Sequence, residues 1–413
     1  MVGTADHGHD GGNAHTMAKT HTGSLPPPLM TSEAGSFAQA TILRRKPQII
    51  RDVLEDNDYP PQVRADLGAL LAEIAGEPIR PLSEPAPDLE YWQAQWCPYS
   101  GRTWLEVPWY FAEAFFYRRL LEAVRYFQPG IWFEHDPFAA QKRREIDGPG
   151  GALNLAAELM AGLPPKRLAA ARALLYASLW GNRIDLSNRE VLARGGRRQG
   201  QASEILVDDS DRVLEFLASY GPHERIDFVS DNAGPEAAFD LLLADALLEW
   251  GWARQVRLHL KPYPFFVSDA MIRDVRELIA RLEGESEPRS KAAGDRLSAR
   301  LQAGDLQLTT HRFWASSYTF SEMPEDLRAD LSQASLAIVK GDANYRRLLG
   351  DRHWPPTARL EEIAAYFPAP FVVLRTLKAE IIVGLAEGRA EELAREDAQW
   401  LTSGKRGLIQ FVG

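Results

Sequence analysis

The chain has 413 residues, 45% hydrophobic and 25% charged, the balance of a soluble globular protein with room for two or three domains or one large one. That balance excludes a collagen-like, wholly disordered or membrane-embedded polypeptide. A formal net charge of −10 offers no general attraction for a phosphate backbone, so no nucleic-acid partner is expected.

The single cysteine, Cys97, lies among aromatics in YWQAQWCPYS and reads as a buried, inert thiol in a reducing compartment. No stretch approaches the ~18 uninterrupted apolar residues that cross a bilayer. The N-terminus has neither a basic start nor an apolar core, so neither a secretory signal nor a membrane partner is expected, and the location reads as cytoplasmic.

Residues 1 to about 35 read as a disordered tail, rich in Gly, Thr and Pro, with irregularly spaced histidines His7, His9, His15 and His21. Residues 36–180 read as an all-helical N-terminal domain. Leu105, Trp109, Ala112, Phe116, Leu120 and Val124 recur at the spacing of one buried helix face. A second helix follows Pro164 and Pro165 and runs alanine- and leucine-rich to Gly181.

After about residue 200, short β-rich runs alternate with helices. EILVDD precedes DRVLEFLASYG, ERIDFVS precedes DNAGPEAAFDLLLADALLEWG, and QVRLHLK precedes VSDAMIRDVRELIARL. SLAIVK precedes GDANYRRLLGD, and FVVLRT precedes LKAEIIVGL. This rhythm predicts that residues 181–413 form an α/β domain, a mainly parallel sheet sandwiched by helices. The polar stretch at about 283–330 reads as a strand-free helical insertion.

Ligands of open parallel sheets bind beyond the carboxyl ends of the strands. At those ends stand Asp231 and Asn232, then Ser268 and Asp269, then Lys340 to Arg346, then Arg375, Thr376 and Lys378. Asp231, Asn232 and Asp269 are hard oxygen donors suited to Mg²⁺ or Mn²⁺, and two carboxylates leave such a cation attractive to an anion. Gly341 allows a tight turn into a helix whose N–H groups can bind phosphate oxygens, and Lys378 adds a mobile positive charge. Each element also has a purely structural reading. Asp231-Asn232 and Asp269 are ordinary helix N-caps, KGDANYRR is a turn into a solvated helix, and Lys378 is a snorkelling lysine.

Weaker motifs are GNRIDLS (Asn182, Asp185, Ser187), a further oxygen-ligand candidate or a helix stop, and the basic loop RGGRRQG from Arg194. His259, His311 and His353 show no zinc-ligand spacing, and neither a P-loop nor a GxSxG elbow is present.

SDNAGPE, the VSD after KPYPFF, KGDANYRRLLGD and RTLK together resemble the motifs of the damage-control phosphatases, over about residues 36–413. The element Arg375-Thr376-Leu377-Lys378 points to their third subfamily, which includes sugar-phosphate phosphatases and a protein described as a glutamate O-methyltransferase. The resemblance implies a metal site at Asp231, Asn232 and Asp269, with Asp231 and Lys378 as catalytic groups. It implies substrate contacts at Asp231, Asn232, Asp342, Ala343, Asn344, Tyr345, Arg346 and Lys378. Glu236 matches a position tied to the cosubstrate of the methyltransferase; Ala343 is smaller than the residue the family often carries, and Pro235 looks like a variable position.

The expectation is a metal-dependent phosphatase acting on a small phosphate ester such as fructose 1-phosphate. Its cofactor would be Mn²⁺ first, with Mg²⁺, Co²⁺ or Ni²⁺ as alternatives. One rival is an S-adenosylmethionine-dependent carboxyl methyltransferase, although no glycine-rich nucleoside fingerprint is present. The other is a catalytically silent metal-binding module.

Overall fold

The computed structural model describes residues 25–148, 150–181, 204–219 and 221–413. Seven strands form one sheet: β1 (Ile205–Asp208), β2 (His223–Val229), β3 (Ala253–Leu260), β4 (Leu306–Thr310), β5 (Leu336–Lys340), β6 (Phe371–Thr376) and β7 (Gly407–Val412). Their order is β1-β7-β6-β5-β2-β3-β4. Every neighbouring pair is parallel except β6 and β7. β5 and β6 are buried along their whole length, as continuous apolar strands require when helices cover both faces. The expected α/β architecture with a helical region before it is what the chain adopts.

The sheet winds in two directions. From β2 the chain steps outward to β3 and β4, then returns to the other side of β2 to form β5 and β6. The junction of β2 and β5 is therefore the topological switch point, where a crevice opens beyond the strand ends.

Several expectations change. The stretch at 283–330 is not strand-free. Leu306–Thr310 pairs in register with Val256–Leu260, so helix Pro288–Ala303 belongs to the crossover between β3 and β4. LQLTT escaped notice because an edge strand needs only half its residues buried. FVVLRT does not feed a helix either; residues 377–386 run without regular structure. Their carbonyls are claimed from within: buried Arg375 donates from Nη1 to Ile381 O at 2.6 Å and from Nη2 to Ala379 O at 3.2 Å. The C-terminal GLIQFV, unassigned by pattern, inserts as β7.

Packing divides the chain near residue 147. Residues 42–138, centred on helix Trp109–Ala123, make one aromatic core together with Tyr263, Phe265 and Ala315. Helices Ala152–Gly162 and Arg167–Trp180 share the sheet's core instead. Helix Trp109–Ala123 is buried all round rather than on one face, because Tyr110, Phe111, Phe115 and Tyr117 fill the remaining sides. Residues 25–35 pack against the body: Leu29 and Thr31 are buried, and Thr31 Oγ1 donates to Val107 O at 2.8 Å. Cys97 is exposed, contrary to the expectation of burial, because the helix ends at Trp96 and a short 3₁₀ turn lifts CPY to the surface.

Candidate functional site

Two segments meet beyond the ends of β2 and β3. Asn232 and Asp269 form an isolated antiparallel bridge, Ala233 N donates to Ser268 O at 2.7 Å, and Ala270 N donates to Asp231 O at 2.8 Å. This backbone zipper fixes Asp231, Asn232 and Asp269 side by side. Asn232 Nδ2 donates to Asp231 Oδ2 at 3.0 Å and to Glu236 Oε1 at 2.9 Å, while Ser268 Oγ donates to Asn232 Oδ1 at 2.6 Å. Lys142, from helix Ala139–Asp147, holds the Asp269 carbonyl at 2.9 Å.

The turn after β5 closes the site. Gly341 has φ +83°, and a Cβ there would stand 1.9 Å from Asp231 Oδ2. Only glycine satisfies both the conformation and the approach. The next residue, Asp342, is tethered through Oδ1, which accepts from Arg375 Nε at 2.8 Å and from Lys378 N at 3.0 Å. Asp342 thereby positions Lys378, whose side chain is exposed and makes no ion pair among the described residues. Lys378 acts electrostatically on Asp231.

The rest of KGDANYRR faces elsewhere. Lys340 is buried and pairs with Asp240 at 2.8 Å. Asn344 Nδ2 donates to Lys340 O at 2.8 Å and to Ser230 O at 3.2 Å, tying β5 to β2. Tyr345 Oη donates to Gln410 Oε1 at 3.2 Å. Arg346 chelates Asp351 at 2.7 and 2.9 Å, bonds Glu113, and lies 3.5 Å from the Trp109 ring centroid. The site thus gathers Asp231, Asn232, Glu236, Asp269, Asp342 and Lys378, while Ala343 packs against the aromatic core and the Tyr345 and Arg346 side chains are engaged outside it. GNRIDLS and RGGRRQG lie outside the described residues.

Burial sets the electrostatics. It pushes the Asp231 carboxyl well above the usual carboxylate range, with Glu236 and Asp269 adding to the rise and Lys378 and Lys261 opposing it. Burial also lifts Asp269 to about 6, against Lys261 and Lys142. Lys261 Nζ stands 3.3 Å from Asp269 Oδ2 and is the one cation paired with that fully enclosed oxygen among the described residues. An enclosed carboxylate oxygen met by a single ammonium at 3.3 Å, beside a second carboxylate and an amide, fits a hard cation.

A second group was invisible to spacing. Asp227, His259 and Asp330 place ligand atoms within 4.8 Å of one another, the only such His/Cys/Asp/Glu triplet among the described residues. Arg225 already chelates Asp227 at 2.8 and 3.0 Å, and Arg225 and Arg257 both reach Asp330, at 3.2 and 2.5 Å. Two guanidiniums match the two carboxylates there, whereas Asp231 and Asp269 share one buried ammonium; the latter pair is the stronger cation candidate. A clue did exist: ERIDFV and QVRLHL each carry a charged or polar group in mid-strand. Lys142, Glu145 and Lys261 had no such signal.

Fold and site together define an α/β protein with a carboxylate-lined site at the switch point of its sheet. The family model for the damage-control phosphatase ARMT1-like domain matches residues 39–393. The chain is 33% identical to "Damage-control phosphatase ARMT1" of Danio rerio, covering 94% of this chain and 98% of that protein. It is 32% identical to the Rattus norvegicus protein of the same name, over 93% and 98%, and 30% identical to that of Homo sapiens, over 94% and 99%. A solved DUF89-family protein from Pyrococcus horikoshii aligns with a TM-score of 0.45 and 14% identity, over 87% of this chain and 93% of that one. The chain belongs to the ARMT1-like damage-control phosphatase family. No helix of the described residues is long and apolar enough to cross a membrane.

Proposed function

We propose that the protein is a metal-dependent phosphomonoesterase that hydrolyses small phosphorylated metabolites, with sugar monophosphates such as fructose 1-phosphate as substrates. The observation that carries this reading is the enclosed Asp269 oxygen, paired with Lys261 alone, beside Asp231 at the switch point. Asp231, Asn232 and Asp269 would hold the cation, Mn²⁺ first. Bound there, it would neutralise a phosphate oxygen and acidify a water.

The chain's own groups do the rest. Glu236 orients Asn232, and Asp342 fixes the backbone of Lys378. The N–H groups of the first turn of helix Gly341–Leu348, from Asp342 to Asn344, present positive dipole ends to the phosphoryl oxygens. Lys378, exposed and mobile, meets the charge that grows on the transferring group. Water attacks phosphorus, the ester P–O bond breaks, and the departing alkoxide takes a proton. Asp231 is placed to accept the water's proton, since burial raises the proton affinity of its carboxylate, and that proton is then available to the departing alkoxide.

Phosphate release measured over a panel of sugar monophosphates, with Mn²⁺, Mg²⁺, Co²⁺ and Ni²⁺ in turn, tests the reading. Wild type should release phosphate only with metal, and Asp269→Ala should fall to background. Wild-type turnover in Asp269→Ala would overturn it. Calorimetric binding of S-adenosylmethionine without metal would favour the methyltransferase.

A further inference from the structure

Helix Ala139–Asp147 belongs to the helical region in sequence, yet it reaches across to the site. Lys142 grips the Asp269 carbonyl and pairs with Asp136 at 3.1 Å and Asp274 at 2.8 Å, which pins the helix in place. One turn on, half-buried Glu145 lies against Gly234, two residues past Asn232. A Cβ on Gly234 would stand 3.3 Å from Glu145 Cβ and 3.4 Å from its Oε2. With φ +71° as well, Gly234 has no side chain to come between this carboxylate and the Asn232 loop.

Glu145 Oε1 accepts from Gln141 Nε2 at 3.2 Å, and Oε2 has no donor among the described residues. Burial raises its proton affinity, and Glu236 adds to the rise while Lys378 opposes it. Glu236 and Lys378 are also charges that act on Asp231. Glu145 therefore stands against the turn that carries Asn232 and Glu236.

We propose that the free oxygen of Glu145 faces the part of the ester that is not phosphate and that Glu145 is a specificity-determining residue: it accepts a hydrogen bond from the hydroxyls of an uncharged, polyhydroxylated leaving group and repels esters whose leaving group carries a carboxylate. The inference rests on the phosphatase reading above and assigns a residue to its preference for sugar monophosphates. A carboxylate facing a carboxylate costs enough to discriminate strongly, whereas a hydroxyl donor gains a hydrogen bond to a charged acceptor.

The test is the ratio of kcat/KM for a phosphoglycerate to kcat/KM for a hexose monophosphate, measured with Mn²⁺ in wild type, Glu145→Gln and Glu145→Ala. Gln preserves size and the Gln141 contact while removing charge, so the comparison survives if Ala disturbs the fold. The ratio should rise by about 10-fold in Glu145→Gln, through a lower KM for the carboxylated ester. A ratio within about 2-fold of wild type overturns the proposal, and so does an equal fall for both esters, which marks a structural or purely chemical role. If wild type releases phosphate from neither ester with any metal, the phosphatase reading fails and the leaving-group role falls with it. An active wild type with an unmoved ratio sinks Glu145 alone.

Discussion

Two buried charge clusters flank the helix Gly341–Leu348, and they are built on opposite principles. On one side Lys46, Glu113, Arg346 and Asp351 pair two cations with two carboxylates, at 3.0 Å for Lys46–Glu113 and 2.7 Å for Arg346–Asp351. On the other side Asp231 and Asp269, with Glu236 beside them, share the single buried ammonium of Lys261. The first cluster is satisfied and joins the helical region to the sheet. The second carries more carboxylates than paired ammonium groups, with an enclosed oxygen met by Lys261 at 3.3 Å. A compensated cluster contributes to structure, and an uncompensated one is maintained where a ligand completes it.

The sharpest way to break this contrast is to unbalance the satisfied cluster. Glu113→Gln leaves Lys46 and Arg346 buried without their shared partner and should cost about 3–5 kcal/mol, read from urea denaturation. Burial alone would raise the Glu113 carboxyl, but Lys46, Arg346 and Arg45 pull it down to about 2. The same burial lowers Lys46 to about 8, so the ammonium is held at a cost while the carboxylate is held at a gain. Glu113 answers to several cations, so its gain decides the sign. A depressed carboxylate stabilises fully above its unfolded value of 4.5 and loses that contribution as pH falls towards 2. The gap between wild type and Glu113→Gln should therefore shrink with acidification over that window. A gap constant with pH would show that the pair does not contribute as charge.

Lys378→Ala probes the uncompensated side. It should lower kcat by roughly 10²–10³. Because the side chain is exposed and unpaired among the described residues, the unfolding midpoint should barely move. Gly341→Ala forces a methyl into Asp231 and should cost at least ~10² in turnover by displacing that carboxylate. Normal kinetics in that variant would show that the approach of Gly341 to Asp231 is not required. The smallest effect belongs to Cys97→Ser, which should stay within about 0.5 kcal/mol of wild type because the thiol is exposed. A larger loss would restore the buried reading.

Residues at the strand ends were legible because a parallel strand, a polar turn and a helix leave a local signature. Asp231, Asn232, Asp269 and Gly341 sit in such turns, and Lys378 follows a parallel strand whose expected helix does not form. What the sequence concealed depends on distant neighbours. Nothing local in NYRR tells that Arg346 answers to Glu113, 233 residues away. Nothing in the polar helix AAQKRREID tells that Lys142 reaches the Asp269 carbonyl or that Glu145 reaches the Gly234 turn. Edge strand β4 was hidden by its half-polar pattern, and β7 by standing last without a helix after it.

The central claim is that the surplus carboxylates beside β2, and not the guanidinium-matched Asp227–His259–Asp330 group, hold the cation that drives hydrolysis. Mn²⁺-dependent phosphate release from a hexose monophosphate, compared in Asp269→Asn and Asp330→Asn, tests it most directly. Asp330 is suited to the comparison because its side chain is 37% exposed, so its loss leaves no deeply buried charge unpaired. The account predicts that Asp269→Asn abolishes Mn²⁺-stimulated release while Asp330→Asn retains it. Retained stimulation in Asp269→Asn together with its loss in Asp330→Asn would contradict the account.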